Sequence, residues 1–208
     1  MVALLGVPLR ESTVTPTSDG GAFDALVAAA AEGDQGALVA LYRAHHPALV
    51  RFLAGLVPGE AEDLASETWI DLGRGLSRFE GNGQDFRRLL FTIARRRAID
   101  YGRKRRRRRT DPADLAAYTG LTGGEDPGEI AADVDASRRA VRHITALLPR
   151  PQAEVILLRV VAGLSLTDVA RVVGKTPEAV SVLQTRGLHR LASRIERPAR
   201  WERESEPR

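Results

Sequence analysis

FRRLLFTIARRRAIDYGRKRRRRR, residues 86–109, is the stretch that decides the fold. On a helical wheel Phe86, Leu89, Leu90, Ile93, Ala94 and Tyr101 form one apolar stripe, while Arg88, Thr92, Arg95, Arg96 and Arg103 gather on the opposite face. A solvated helix face normally intersperses carboxylates that relieve repulsion, and here only Asp100 does so. A face of one sign is an electrostatic footprint for phosphates, which points to nucleic acid.

Working outward, the charge asymmetry proves to be local. The chain carries 31 Lys plus Arg against 27 Asp plus Glu, a net charge of only +4, yet its pI is about 10.1. The bases Arg103 to Arg109 are followed by residues 110–136, which hold Asp111, Asp114, Glu125, Asp126, Glu129, Asp133 and Asp135 and no base. That block also contains Pro112, Pro127 and Gly123-Gly124, so it reads as a flexible acidic linker. The linker divides the chain into helical units at 22–109 and 137–196, flanked by tails at 1–21 and 197–208. Apolar spacing is helical throughout, and an all-α protein of two small domains is expected. The absence of cysteine excludes disulfides and thiolate metal sites and fits a reducing cytosol. The opening MVALLGVPL lacks a basic n-region and reads as a tail, and no run reaches the ~20 apolar residues of a membrane span.

The second unit has its own punctuation. Pro149 and Pro151 precede an expected helix over 153–162, whose VILLRVV reads as buried and which Gly163 stops. Ser165 with Asp168 forms a capping box for LTDVARVV, closed by Gly174; Thr176 then caps a third helix with Pro177 at its first position. Helix, tight turn, helix is the sequence form of a helix-turn-helix. On the third helix Val180, Leu183, Gly187 and Leu191 face inward. Glu178, Ser181, Val182, Thr185, Arg186 and His189 face outward, where polar tips suit base edges, Val182 a thymine methyl, and Arg186, His189 and Arg190 phosphates.

A further segment, AEDLASETWIDL at 61–72, places Leu64, Thr68, Trp69 and Leu72 on an inner stripe and Asp63, Glu67 and Asp71 on an outer acidic one. An acidic face brings nothing to DNA binding; it suits a basic protein surface, although an ordinary solvated face has the same appearance.

Taken in order, DLASETW, RFEGNGQDF, FRRLLFTIARRRAIDYGRKRR, an acidic linker and LLPRPQAEVILLRVVAGLSLTDVARVVGKTPEAVSVLQTRGLHRL resemble a bacterial RNA polymerase sigma factor of the sigma-70 family. The likeness is to the small extracytoplasmic-function (ECF) type, which keeps only regions 2 and 4. It implies a cytoplasmic protein that binds core polymerase through the largest-subunit clamp helices and the flap. It also implies promoter DNA as a partner, leaves open an anti-sigma factor, and calls for no cofactor, metal or membrane insertion. By the resemblance Asp63, Leu64, Glu67, Thr68 and Asp71 would contact the polymerase, with Trp69 as packing. Arg78, Asn82, Gln84, Arg88, Thr92, Arg95, Arg96 and Arg103 would hold the minus-ten element, Asn82 and Gln84 reading an extruded base. Thr176, Pro177, Glu178, Ser181, Val182, Thr185, Arg186, His189 and Arg190 would meet the minus-thirty-five element. The linker would thread toward the active-site cleft and RNA exit path.

Enzymatic readings find little support. Gly174-Lys175-Thr176 resembles the end of a P-loop, but Val169 stands where its first glycine is required and no strand precedes it. His45 and His46 are adjacent, point apart and have no acidic or thiol partner at a metal-binding offset. Two alternatives remain: a self-sufficient DNA-binding regulator, monomeric or dimeric, and an RNA-binding protein, the latter weakened by an arginine run without interleaved aromatics.

Overall fold

The computed structural model describes residues 19–110 and 131–196. Eight helices follow in order: α1 (Asp19–Ala31), α2 (Gln35–Leu56), α3 (Ala61–Leu76), α4 (Gly83–Thr110), α5 (Ala131–Leu147), α6 (Arg150–Val160), α7 (Leu166–Val173) and α8 (Pro177–Glu196). No strand occurs among the described residues.

Local chemistry sets the boundaries. Asp34 caps α2 by accepting the Ala37 N–H at 2.8 Å. At the start of α4, Asn82 and Asp85 cap reciprocally: the Asp85 N–H donates to Asn82 Oδ1 at 3.0 Å and the Asn82 N–H to Asp85 Oδ2 at 3.3 Å. Asp24 on α1 accepts the Gly83 N–H at 2.7 Å, and a Cβ at Gly83 would overlap the Phe23 ring, so glycine is what lets α1 close over this turn. Helix α1 begins inside the stretch read as tail. Helices α4 and α5 reach into both ends of the stretch read as linker, placing Asp133 and Asp135 on α5. Residues 1–18, 111–130 and 197–208, and with them most of the acidic linker, lie outside the described residues.

Helices α1–α4 wrap Leu41, Leu49, Phe52, Leu53, Leu72, Phe86, Leu90 and Phe91, all fully buried. The apolar stripe of α4 is wider than one wheel face: Phe91 and Ala98 are as deeply buried as Phe86, because α2 and α3 pack on adjoining sides. The same apolar cluster continues without a break into Val141, Val155, Leu157, Leu158 and Leu164 of the second unit. Helix α2 lies against both α5 and α6, and Gly55 makes that approach possible. A Cβ there would stand 2.5 Å from Leu157 Cδ1 and 3.0 Å from Val141 Cγ1. The two sequence units therefore pack on one another through a shared core. In α6, Val155 to Leu158 are buried as their apolarity requires, but the helix starts at Arg150 and leaves Val160 70% exposed.

Candidate nucleic-acid and polymerase interfaces

The helix-turn-helix forms as its punctuation dictates. Ser165 caps α7, its Oγ accepting the Asp168 N–H at 3.1 Å and donating to Asp168 Oδ2 at 2.5 Å. Gly174 closes α7 in the left-handed region at φ 67°, where a side chain would be strained. Thr176 Oγ1 accepts the Ala179 N–H at 3.3 Å, and α8 begins at Pro177. Val180 is fully buried; a Cβ at Gly187 would lie 2.6 Å from Ile156 Cδ1, so α8 seats closely on α6. Thr176, Glu178, Ser181, Val182, Thr185, Arg186, His189 and Arg190 are exposed, and Pro177 is half-buried. The proposed minus-thirty-five set is thus brought together on the outer side of α8. The Glu178 carboxyl is held below the usual range by hydrogen bonding to its own backbone N–H and by Thr176, which ties it to the helix N-terminus.

On α3 the structure corrects two expectations. Leu64 is 6% exposed and Thr68 fully buried, with Thr68 Oγ1 donating to the Leu64 carbonyl at 2.7 Å, so neither can touch a polymerase. Both belong to the inner stripe, where periodicity alone had put them. Asp63 is exposed, whereas Glu67 and Asp71 are gripped by Arg97 of α4: Nη1 lies 2.6 Å from Glu67 Oε2, and Nε and Nη2 lie 2.8 and 2.5 Å from Asp71 Oδ2. The hydrogen bond to Asp71 comes first among the causes that raise the Arg97 pKa still further. On the helical wheel Arg97 falls inside the apolar stripe of α4, between Phe86 and Leu90, so a reading of the basic face does not single it out.

The basic face of α4 is not as unrelieved as its sequence suggests, because carboxylates arrive from distant segments. Arg88 Nη1 lies 2.7 Å from Asp85 Oδ1 and 3.2 Å from Asp168 Oδ1, and Gln84 Nε2 donates to Asp168 Oδ2 at 2.5 Å. Arg95 Nε donates to Glu154 Oε1 at 2.6 Å. Burial works to raise the Asp168 pKa, yet hydrogen bonds from Ser165, Gln84 and Arg88 outweigh it and hold the carboxyl below its ordinary value. Thr92, Arg96 and Arg103 stay exposed, the last two only 3.9 and 3.8 Å from Asp100. Asn82, offered as a base reader, spends its carbonyl oxygen on the helix cap.

Between the end of α3, the loop after it and the first turns of α4 opens a cleft of about 450 Å³, lined by Arg78, Phe79, Glu80, Arg88, Leu89 and Thr92 among others. Arg78, Arg88 and Thr92 were expected at this site. Phe79 and Leu89 were not, although an aromatic beside Arg78 in a glycine-rich loop was a readable signal for a stacking wall. Phe79 stands edge-on to Phe86 at 6.2 Å, which fixes its ring.

The histidines do point apart. His45 is enclosed by Phe23 and Phe86, and burial first, then the Arg87 charge, lowers its pKa to about 4. His46 stacks on Tyr42 and finds an acidic partner in space that its sequence neighbours lack, Glu62 Oε2 at 3.4 Å. Among the described residues no group of three or more His, Cys, Asp or Glu could hold a metal ion, and no helix is long and apolar enough to cross a membrane.

Residues 41–108 match Sigma-70 region 2 and residues 146–193 match Sigma-70, region 4. Over 191 residues the chain is 32% identical to the ECF RNA polymerase sigma factor SigD of Mycobacterium tuberculosis, covering 89% of each chain. The chain belongs to the ECF RNA polymerase sigma factors. ShbA, an ECF sigma factor of Streptomyces griseus, is 30% identical over 187 residues, 83% of this chain and 94% of that protein. The fold is shared with CnrH, solved in complex with the cytosolic domain of CnrY, at a TM-score of 0.59 and 23% identity over 84% of this chain and 97% of that one. It is shared also with Bartonella quintana RpoE, solved with the anti-sigma factor NepR, at a TM-score of 0.55 and 24% identity over 74% and 94%. In this sigma factor, region 2 spans most of α2 together with α3 and α4, and region 4 runs from the end of α5 through α8. It directs promoter-specific transcription initiation through these two regions.

Proposed function

We propose that this sigma factor engages core polymerase through the exposed carboxylates of α3, led by Asp63, and divides promoter recognition between two faces. The outer side of α8 enters the major groove at the minus-thirty-five element, with Ser181, Thr185 and Arg186 nearest base edges and His189 and Arg190 on phosphates. The cleft beside Arg78, Phe79 and Thr92 receives an extruded minus-ten base, and Gln84, Arg88, Arg95, Arg96 and Arg103 hold the strand and adjoining duplex. The observation that carries this reading is the solvent-facing polar surface of α8, assembled behind the left-handed turn at Gly174. Glu67 and Asp71, neutralised by Arg97, act as a brace between α3 and α4 more than as docking charges.

In this reading the protein works in the cytoplasm, has no catalytic residue of its own and needs no cofactor. By analogy with RpoE, solved with the anti-sigma factor NepR, an anti-sigma factor is a further partner in this reading. The test is run-off transcription with purified core polymerase on genomic promoter fragments. Transcripts that require both components, and co-elution with core that Asp63→Lys weakens while helical content is unchanged, would support it. A tight palindromic footprint from the purified chain alone would favour a self-sufficient regulator instead.

A further inference from the structure

Further along α4 than the cleft assigned to the minus-ten base, a second cleft of about 210 Å³ opens where α4 meets the start of α6. Four guanidinium groups line it, those of Arg95, Arg103 and Arg106 on α4 and of Arg150 on α6. The one carboxylate in its lining, Glu154, is already engaged: it accepts from Arg95 Nε at 2.6 Å, which is the only hydrogen bond Arg95 makes among the described residues. Asp100 compensates weakly, standing 3.8 Å from Arg103 Nη1 and 3.9 Å from Arg96 Nε with its side chain 56% exposed. The N-terminus of α6 adds the same sign, since no carboxylate stands in its first turn and Pro149 supplies no capping side chain. We propose that this cleft binds a small polyanion with two linked phosphoryl groups, either free diphosphate or the diphosphate end of a nucleotide, clamped by arginines from α4 and α6.

Gly102 distinguishes a site from a merely basic surface. It stands inside the 28-residue α4, where glycine costs a helix ~1 kcal/mol against alanine, yet a Cβ there would meet nothing within 4 Å. Packing within the protein does not require it, unlike Gly55 and Gly187, where a Cβ would stand 2.5 and 2.6 Å from neighbouring side chains. Residues 95, 99, 102 and 106 recur at helical spacing on one face, so Gly102 is a gap in a row of guanidiniums and lines the cleft. The volume suits the ligand: at ~30 Å³ per water, 210 Å³ holds about seven waters, close to the number of oxygens in a diphosphate. Guanidinium forks suit adjoining phosphoryl groups because each presents parallel N–H donors to two oxygens. A nucleic-acid backbone carries one charge per phosphate, and the proposed function assigns it neither Arg106 nor Arg150. Arg95 and Arg103, by contrast, are also placed among the strand-holding residues, so competition between the anion and the minus-ten strand rests on that reading, whereas binding of the anion does not.

Calorimetric titration of the full chain with inorganic pyrophosphate at fixed ionic strength tests the site. The titration should saturate at one pyrophosphate per chain, about tenfold or more tighter than inorganic phosphate. Gly102→Leu fills the gap, favours the helix and alters no charge; it should weaken pyrophosphate binding about tenfold with helical content kept. Arg150→Gln and Arg105→Gln remove the same charge, the first from the cleft and the second from an exposed position on α4 outside it. The first should weaken pyrophosphate about tenfold and the second less than about twofold. ADP binding more tightly than pyrophosphate would assign the site to a nucleotide, and ADP binding equally or more weakly would assign it to free diphosphate. Equal losses in the two arginine variants, a titration that does not saturate, phosphate binding as tightly as pyrophosphate, or a Gly102→Leu chain that binds like the parent would overturn the site and leave a basic surface for DNA. Displacement of a mixed-sequence single-stranded oligonucleotide by pyrophosphate tests the shared arginines separately. Saturable binding without displacement would keep the anion site and count against Arg95 and Arg103 as strand-holding residues.

Discussion

The outer face of α8 and the basic face of α4 come from the same kind of sequence signal, yet they stand in opposite conditions. On α8 the polar set from Thr176 to Arg190 faces solvent. On α4 the middle of the set is covered, Arg88 by Asp168 and Arg95 by Glu154, while Thr92, Arg96 and Arg103 stay exposed. The difference teaches that helical periodicity locates a surface without naming its occupant. Periodicity is a property of a few turns; the occupants of α4 arrive from 59 and 80 residues away.

The largest effect expected from this contrast is an acid response confined to the α4 side. His45 lies in the core that α4 shares with α1 and α2, and its pKa falls from 6.5 to about 4. The folded state resists protonating it while the unfolded chain does not. Stability is therefore full above pH 6.5, declines as pH falls toward 4 and levels off below. At ~1.4 kcal/mol per pH unit the whole loss is at most about 3.5 kcal/mol. The lowered pKa of Asp168 acts later, since a carboxylate held below its ordinary value of 3.8 gives up its contribution only under more acidic conditions. Denaturant midpoints between pH 7 and 4 should slope for the wild type and flatten for His45→Phe. A wild-type profile without slope would mean that His45 is more solvated than the Phe23–Phe86 enclosure implies.

The second expectation sets one arginine from each face against the other. Arg186→Ala should weaken promoter binding by about 1 to 3 kcal/mol if Arg186 reads a base, and should relax preference at one upstream position. If Arg186 meets only phosphate, the loss should be uniform across sequences, with a shallower salt dependence. Because α8 is open, the deficit should appear with region 4 contacts whether or not polymerase is present. Arg88→Ala should behave differently: in the free chain it removes a contact to Asp168 and leaves DNA affinity nearly unchanged, whereas in the polymerase complex it lowers promoter binding. Footprint titrations with and without core separate the cases, and equal losses for Arg88→Ala in both would erase the contrast between the two faces.

How much of this was legible depends on distance along the chain. The span of α7, the Ser165–Asp168 capping box, the turn at Gly174 and the inward and outward sides of α8 were all readable, since each is decided within one or two turns. The family was readable for a similar reason: several local patterns occurred in a fixed order. Spacing alone places Leu64 and Thr68 on the inner stripe of α3, where both are buried, while the resemblance assigns the same two residues to polymerase contact. What could not be read was pairing. Arg97 sits within the apolar stripe of α4 and gains its meaning from Glu67 and Asp71 on another helix. Glu154 immediately precedes the apolar run VILLRVV, and nothing nearby shows that it is buried or that Arg95 neutralises it. Asp168 was identified as a cap, and its second set of partners is invisible at that range.

The smallest effect comes from the two caps of the helix-turn-helix, and it isolates what contact with α4 adds to a local motif. Ser165 and Thr176 do the same job for α7 and α8, each accepting a backbone N–H three residues ahead, and losing such a cap typically costs about 1 kcal/mol. Their geometry differs: the Thr176 bond is 3.3 Å long on exposed surface, whereas the Ser165 bond is 3.1 Å and partly buried. Ser165 also donates to the carboxylate that holds Gln84 and Arg88, so its removal frees Asp168 to turn within the seam. Ser165→Ala should therefore destabilise by about 1 to 2 kcal/mol and loosen the closure over α4, while Thr176→Ala should lose about 0.5 kcal/mol and leave the closure intact. Hydrogen exchange resolves the two: Ser165→Ala should raise exchange at the start of α4 as well as in α7, and Thr176→Ala only at the start of α8. Exchange confined to α7 in Ser165→Ala would show that the cap acts on its own helix alone and that the Asp168 contacts to Gln84 and Arg88 do not depend on it.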